Sequence, residues 1–366
     1  MGKLTVETTN HRYDVLIGPT TYALFSTVYK DLLTSADRIA IIADEKVAAI
    51  HLPLLEESLA IVKDKLVVKT IPAGEACKSI ATYADCQSFL LQQGFTRQSL
   101  IIAYGGGACG DLAGYVAATF MRGIRYIHCP TTILAHDSAV GGKTAINMPE
   151  GKNMVGAFHQ PSAVLFQTGL FSSLPSQEVR SGLAELLKHA FISNEEWTMQ
   201  LLANKSFTNP SEKWLTEELL KGIQVKAKIV AEDEFEQSTR KFLNFGHTFG
   251  HAVEAACGFG KLSHGESVMI GMIYSLQLSE MMGLTAKTLT EQLIQFANEH
   301  EYPLHSIHDF SFDEFMNYMQ KDKKMSHGKL NFVLLKGIGQ PFVTEVTREQ
   351  CLRAFQELTT RTEGMS

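Results

Sequence analysis

Three histidines fall within a short stretch of this chain, and two of them are four residues apart. His247 and His251 close the segment Leu243-Asn-Phe-Gly-His247-Thr-Phe-Gly-His251, so a helix through them would carry both imidazoles on one face. His264 follows a glycine-containing turn, in Ser263-His264-Gly265-Glu266. Glu185 stands on an earlier apolar segment, Ala184-Glu-Leu-Leu-Lys188-His189. One carboxylate and two imidazoles are enough to hold zinc with a coordination position left open, which is the catalytic pattern. A lone histidine defaults to a structural role, but three so close together, with glycines beside them, argue for a site.

A second group of residues suits phosphates and other anions. Gly105-Gly-Gly107-Ala-Cys-Gly110-Asp111 follows the apolar run Leu100–Ala103 and opens a helical pattern. Such glycines let a phosphate approach the backbone, and a helix N-terminus offers free N–H groups. A tight structural turn explains the run equally well. The spacing is not GxGxxG, which argues against an ordinary Rossmann fingerprint. Asp44 ends another strand, where it either caps a helix or accepts hydrogen bonds from a ribose. Asp137-Ser-Ala-Val-Gly-Gly-Lys143-Thr144 resembles the tail of a P-loop, but Ala139 occupies the first glycine position, so ATP fits poorly. Lys143, Lys152 and Asn153 still suit an anionic substrate. Glu185 and Lys188 are spaced as a helical ion pair. Lys226 and Arg240 flank the acidic run Glu232–Glu236, for which a solvated face is the default.

The elements that must position these groups change character along the chain. In the first half, Leu4–Thr8, Arg12–Ile17, Arg38–Ala43, Lys65–Ile71, Leu100–Tyr104, Arg125–Pro130 and Ala163–Phe166 read as strands. Helical patterns over Lys46–Leu59, Ser79–Gln93 and Asp111–Phe120 alternate with them. That alternation predicts a mostly parallel α/β sheet. Beyond Pro175 helical periodicity dominates, apart from a strand-like run at Leu330–Leu335. The expectation is an α/β nucleotide-binding domain over residues 1–172 and a mainly helical metal- and substrate-binding domain over 173–366.

Composition narrows the function classes. With 366 residues the chain is long enough for two cores, and a net charge of −6 gives no general attraction to nucleic acid or anionic membrane. The N-terminus carries no signal-peptide pattern, and no apolar run is long enough to span a bilayer. Six cysteines, at 77, 86, 109, 129, 257 and 351, are scattered without a CxxC pair. Reduced thiols and a cytoplasmic location are expected.

Taken together, these segments resemble the 3-dehydroquinate synthase family. The likeness runs from about Asp44 to Lys324 and rests on motifs in order. They are Pro72-Ala-Gly-Glu75-Ala-Cys-Lys78, the Gly105–Gly107 run with Asp111, Met121-Arg122-Gly123, Pro130-Thr131-Thr132, Gly141-Gly-Lys143-Thr144 and Gly151-Lys152-Asn153. Gly182-Leu-Ala-Glu185 with Lys188, Asp233-Glu-Phe-Glu236, Arg240, Leu243–His251, His264-Gly-Glu266 and Asp322-Lys323-Lys324 follow.

The resemblance implies that Glu185, His247 and His264 bind Zn²⁺ or Co²⁺, with His251 beside them but not a ligand. It implies an NAD site at Asp44, Glu75, Lys78, Gly106, Gly107, Asp111, Thr131, Thr132, Lys143, Lys152, Leu170, Ser173 and Leu174. Asp137, Lys152, Asn153, Lys226 and Arg240 would meet substrate, with Arg122 reaching a neighbouring subunit's site in a homodimer. Lys143, Lys188, Glu236, Asn244 and His251 would take part in catalysis. The implied reaction converts 3-deoxy-D-arabino-heptulosonate 7-phosphate to 3-dehydroquinate and phosphate, with NAD reduced and reoxidised in each cycle. Two alternatives share much of this pattern: another sugar phosphate cyclase, and a metal-dependent NAD-linked polyol dehydrogenase. Lys226 with Arg240 suits a substrate carboxylate, which favours 3-dehydroquinate synthase over the other cyclases.

Overall fold

The computed structural model describes residues 1–258, 260–322 and 330–365. In chain order the strands are β1 (Gly2–Glu7), β2 (Arg12–Gly18), β3 (Ile39–Asp44), β4 (Leu66–Ile71), β5 (Leu100–Gly105), β6 (Arg125–Pro130), β7 (Lys143–Met148), β8 (Gly151–Phe158), β9 (Ala163–Gln167), β10 (Asn331–Leu335) and β11 (Pro341–Glu345). The helices are α1 (Lys30–Thr34), α2 (Glu45–Ser58), α3 (Ile80–Gln92), α4 (Gly107–Thr119), α5 (Ala135–Ser138), α6 (Ser176–Phe191), α7 (Glu195–Leu202), α8 (Glu212–Glu232), α9 (His247–Cys257), α10 (His264–Met281), α11 (Lys287–Glu299), α12 (Phe312–Asp322) and α13 (Arg348–Arg361).

Two compact units result: Met1–Leu174 with Ser211–Glu234, and Pro175–Pro210 with Phe235–Ser366. A single break after residue 172 leaves no place for a returning segment, yet α8 folds with the first unit. The reason is its apolar face. Leu219, Ile223 and Val230 are buried, and the helix covers β1 at the edge of the sheet. Gly2 there lies so close to Leu220 that a Cβ would fall 2.1 Å from its Cδ1.

The first unit is built on a seven-stranded sheet in the order β1-β2-β9-β6-β5-β3-β4. Only β1 pairs antiparallel, and the remaining ladders are parallel. Every residue of β3 and β5 is buried, as expected for strands covered on both faces. Alternate residues serve opposite layers. Ile39, Ile41, Leu100, Ile102 and Tyr104 pack with Leu33 of α1, Leu55 of α2 and Leu59 just beyond α2. Ala40, Ile42, Ile101 and Ala103 pack with Leu90, Leu112 and Val116 of α3 and α4. Each buried aliphatic side chain of this kind contributes about 1.5–3 kcal/mol.

The chain runs from β3 outward to β4 and then back across β3 to β5. A topological switch therefore lies between β3 and β5, where ligands bind in sheets of this class. The glycine-rich stretch around Gly141 and Gly151, read from sequence as anion-binding loops, is instead the β7–β8 hairpin. Gly141 and Gly142 enter it with φ of +95° and +68°, a conformation that disfavours other residues.

In the second unit, α10 is buried without interruption from Gly265 to Ser279. An apolar helix with no exposed face belongs at the centre of a core, and α6, α9, α11, α13 and β10 pack around it. No helix among the described residues is long and apolar enough to cross a membrane.

Candidate functional site

The histidine cluster of the second unit is assembled by close backbone packing. Gly246 precedes α9 with φ of +82°, which starts the helix at His247 and puts His251 one turn later. Helices α9 and α10 meet through glycines. A Cβ on Gly271 would lie 1.9 Å from the Gly246 carbonyl oxygen, and one on Gly250 would lie 2.9 Å from that of Ser267. The first turn of α10 presses on α6 in the same way. A Cβ on Gly265 would fall 1.9 Å from the Ser181 carbonyl oxygen, and the Gly265 N–H donates to Ser181 Oγ at 3.0 Å. Since Glu185 is one turn beyond Ser181, His264 lands opposite it. A capping box fixes this end of α10: Ser263 Oγ accepts from the Glu266 N–H, and Glu266 accepts from the Ser263 N–H. Glu266 is itself buried and held by Arg180 at 2.9 Å.

Glu185 Oε1 lies 3.1 Å from His264 Nε2 and 3.5 Å from His247 Nε2. Two ligands held 2.0–2.2 Å from a tetrahedral zinc stand about 3.3–3.6 Å apart; the His247 distance falls in that range and the His264 distance is slightly shorter, so a small opening of the pair would admit an ion. The other carboxylate oxygen, Oε2, sits 2.5 Å from Lys188 Nζ, with both residues fully buried. Behind the imidazoles, His247 Nδ1 faces the Phe245 carbonyl at 3.2 Å, and His264 Nδ1 faces Glu254 Oε2 at 3.4 Å. The three histidines also bring one ring nitrogen each within 4.8 Å of the others.

Charge at the cluster is polarised. Burial opposes a proton on His264, but hydrogen bonds to Glu185 and Glu254, then their charges, push its pKa up to about 10. Burial drives His247 well below its ordinary value, with Glu185 pulling the other way. A buried carboxylate among imidazoles thus attracts one proton, and a divalent cation satisfies the same attraction more strongly. Nearby in sequence, Asn244 donates to Glu236 Oε1 at 3.0 Å, and Arg240 is buried at 1% exposure.

In the first unit the candidate nucleotide residues lie at the carboxyl ends of parallel strands. Asp44 ends β3 and does cap a helix: Oδ1 accepts from the N–H groups of Lys46 and Val47, and Oδ2 accepts from the Gly74 N–H at 2.9 Å. Gly106 precedes α4 and gives it no side-chain cap, which leaves the helix's N-terminal N–H groups for a ligand. A Cβ on Gly106 would lie 3.0 Å from Thr132 Cγ2, and one on Gly107 would lie 2.7 Å from Ser138 Oγ, so only glycine keeps this approach open. Thr131, beyond β6, buries a hydroxyl that has no hydrogen-bond partner among the described residues. That orphan and the uncapped glycine cradle fit a phosphate-bearing cofactor.

Around them the charges are mutually paired. Lys78 Nζ contacts Asp111 Oδ2 at 2.7 Å, Glu75 Oε1 at 3.8 Å, and Asn153 Oδ1. Burial disfavours the Lys78 charge, but Asp111 and Glu75 more than offset it and raise its pKa. Lys226, on α8, reaches Asp137 Oδ2 at 3.3 Å and the Asp137 carbonyl.

Comparison with known proteins places these geometries. Family models described as 3-dehydroquinate synthase N-terminal and C-terminal match residues 68–181 and 182–325. A 3-dehydroquinate synthase of Lysinibacillus sphaericus is 48% identical over 349 residues, covering 95% of each chain. The chain belongs to the 3-dehydroquinate synthase family. Among solved structures, a 2-deoxy-scyllo-inosose synthase complexed with carbaglucose-6-phosphate, NAD⁺ and Co²⁺ superimposes with a TM-score of 0.86 at 26% identity, covering 97% of this chain and 100% of that one. A 2-epi-5-epi-valiolone synthase from Streptomyces hygroscopicus with NAD⁺ and Zn²⁺ gives 0.85 at 26%, covering 97% and 99%.

The α/β and helical architecture expected of a 3-dehydroquinate synthase is present in full. Glu185, Lys188, His247, His251 and His264 are gathered in the second unit, and Glu75, Lys78, Asp111 and Asn153 in the first. Lys143 and Lys152 are on the hairpin, with Lys143 exposed. Leu170 is buried, and Ser173 shares a 2.8 Å hydrogen bond with His51 Nε2. Leu174 is the last residue of the stretch that includes them in the first unit. Arg122 makes no hydrogen bond or ion pair among the described residues. Lys323 and Lys324 lie outside them. Arg122, Asn153 and Glu236 account for three of the five non-glycine residues with left-handed φ among the described residues, and such strain concentrates at functional sites.

Sequence reading missed Asn147 and Glu254. Asn147 donates to Glu75 Oε1 at 2.7 Å and accepts the Asn153 N–H at 2.8 Å, tying two loops together. As the polar residue just before the Met148–Gly151 turn, it gave a weak signal. Glu254 gave a stronger one, since 247, 251 and 254 recur at helical spacing.

Proposed function

We infer that this protein converts 3-deoxy-D-arabino-heptulosonate 7-phosphate to 3-dehydroquinate and phosphate, with NAD and a divalent metal. The observation that carries this reading is Glu185 Oε1 facing the Nε2 atoms of His247 and His264, in a chain matched by both family models. Those three residues would hold the metal, leaving an open position for substrate. When bound, NAD takes and returns a hydride, and the metal polarises reacting oxygens. One carboxylate and two imidazoles suit zinc, and cobalt accepts the same donors.

The chain's own residues divide the remaining work. Lys188 Nζ, 2.5 Å from Glu185 Oε2, would place a positive charge beside the carboxylate and fix its orientation toward the cation. The Gly106–Gly107 turn, Thr131 and Thr132 would bind the dinucleotide at the switch point, with Asp44 and Lys78 shaping its walls. In the first unit Lys152 and Asn153 would bind anionic groups of the substrate, and in the second Asn244 and His251 would meet its phosphate, with Arg122 of the partner subunit. The second unit's buried Arg240 would hold the substrate carboxylate, a task for which a guanidinium fork is suited, and the first unit's buried Lys226 would meet substrate as a point charge. Lys143 of the first unit and Glu236 of the second would each take part in catalysis.

A homodimer is supported by the β7–β8 hairpin, whose outer strand exposes Met154, Val155 and Phe158. Six buried cysteines without a disulfide accord with a cytoplasmic setting.

The deciding assay supplies the heptulosonate 7-phosphate with trace NAD⁺ and Zn²⁺. Stoichiometric phosphate and dehydroquinate without net NADH, lost on chelation, is the expected outcome. A folded, metal-loaded protein that releases no phosphate would sink the assignment.

A further inference from the structure

We propose that Glu254 is the positioning carboxylate of the metal site, a reading that rests on Glu185, His247 and His264 as its ligands. A neutral imidazole carries one N–H and one lone pair, and a metal ligand must present the lone pair. Whichever nitrogen faces the cation, the other needs an acceptor for its proton. His247 has a neutral acceptor, the Phe245 carbonyl at 3.2 Å from Nδ1. His264 has an anionic one, Glu254 Oε2 at 3.4 Å from Nδ1.

Glu254 is 8% exposed, and burying a carboxylate is costly unless it meets a donor. It rises from α9 on the face that carries His247 and His251, so the helix that provides two imidazoles also orients the third. The consequence is specific. Glu254 keeps the proton of His264 on Nδ1, aims Nε2 at Glu185 Oε1, and enriches Nε2 in electron density. Outer carboxylates of this type tune both the affinity and the electronic structure of a bound metal.

Full-length protein stripped of metal tests the proposal, with Zn²⁺ affinity read by competition against a chromogenic chelator. Co²⁺ absorption provides a second readout, independent of turnover. Glu254→Ala is expected to weaken Zn²⁺ by about 10–100-fold and to shift the Co²⁺ bands. Glu254→Gln, whose amide oxygen still accepts from Nδ1, is expected to fall between Glu254→Ala and the parent. His264→Ala is the reference and should lose the ion. Glu254→Ala binding Zn²⁺ within twofold of the parent, while His264→Ala has lost it, overturns the role of Glu254 alone. Retention of Zn²⁺ by His264→Ala overturns the ligand set itself. If Glu254→Ala does not fold, Glu254→Gln decides, and an unchanged affinity and spectrum overturns the proposal. A lowered melting temperature of the metal-free protein with both readouts unchanged overturns it as well, because that pattern marks a purely structural carboxylate.

Discussion

The two units organise their chemistry in opposite ways. In the second, the candidate ligands are side chains from three helices, and their convergence depends on backbones packed at glycine distance. In the first, the candidate cofactor-binding groups are largely backbone, presented at the ends of β3, β5 and β6. The side chains there are charge-paired among themselves: Lys78 with Asp111, Lys226 with Asp137. The contrast follows from the ligands. A metal ion needs a few donors aimed to within a fraction of an ångström, and helices locked through Gly246, Gly250, Gly265 and Gly271 provide that rigidity. A dinucleotide presents an extended anionic surface, which N–H groups and glycine turns accommodate.

If this division holds, variants in one unit should spare the ligand of the other. His264→Ala carries the largest expected effect. Activity should fall by about a thousandfold, since a bound metal contributes several kcal/mol to catalysis, while NAD affinity measured by fluorescence titration stays near the parent value. Comparable loss of both ligands would break the comparison.

Gly271→Ala comes next. Its new methyl would sit 1.9 Å from the Gly246 carbonyl, so α9 and α10 must separate. A loss of about 1–3 kcal/mol or more in denaturant unfolding is expected, together with weaker Zn²⁺ binding. A variant that melts with the parent would show that helix spacing does not set the cluster.

Gly106→Ala should act on the other unit. The methyl crowds Thr132 and the open N-terminus of α4. NAD should weaken by about tenfold, or roughly 1.4 kcal/mol, with Zn²⁺ affinity unchanged. Parallel loss of zinc would again argue against separable roles.

The smallest effect lies away from both sets. Glu280 accepts two hydrogen bonds from Arg361, at 2.7 and 3.0 Å. Burial raises its carboxyl pKa, but Arg361, then Thr290, outweigh that and hold it below the ordinary value. A depressed folded pKa stabilises the protein above the unfolded value, near 4.5, and the gain disappears as pH falls through the folded one. Arg361→Ala should therefore cost about 1 kcal/mol at neutral pH and progressively less below pH ~4.5. Thermal melts across pH 3–7 would show it, and a loss constant over that range would refute the linkage.

How much was legible before the fold was known differs between elements. The parallel strands could be read from their apolar runs, because burial on both faces demands them. Helix α4 begins at Gly107 rather than Asp111, since glycine, a poor helix former, fits a first turn that must stay bare. The β7–β8 hairpin was hidden because its glycines and lysines look like loop, and its outer strand has no apolar alternation. Helix α8 had the right period, but nothing local tells it to return to the first unit's sheet edge.

By itself, the sequence determined the chemical inventory: a carboxylate with three histidines, a glycine turn after a strand, and lysines and an arginine for anions. It also determined the family, through motifs in a fixed order. Only the tertiary structure decided which atoms of that inventory meet. Glu185 is 62 residues from His247 and 79 from His264, and no local periodicity relates positions so far apart. Their convergence comes from α6, α9 and α10 touching where side chains are absent, and that contact exists only once the core has closed.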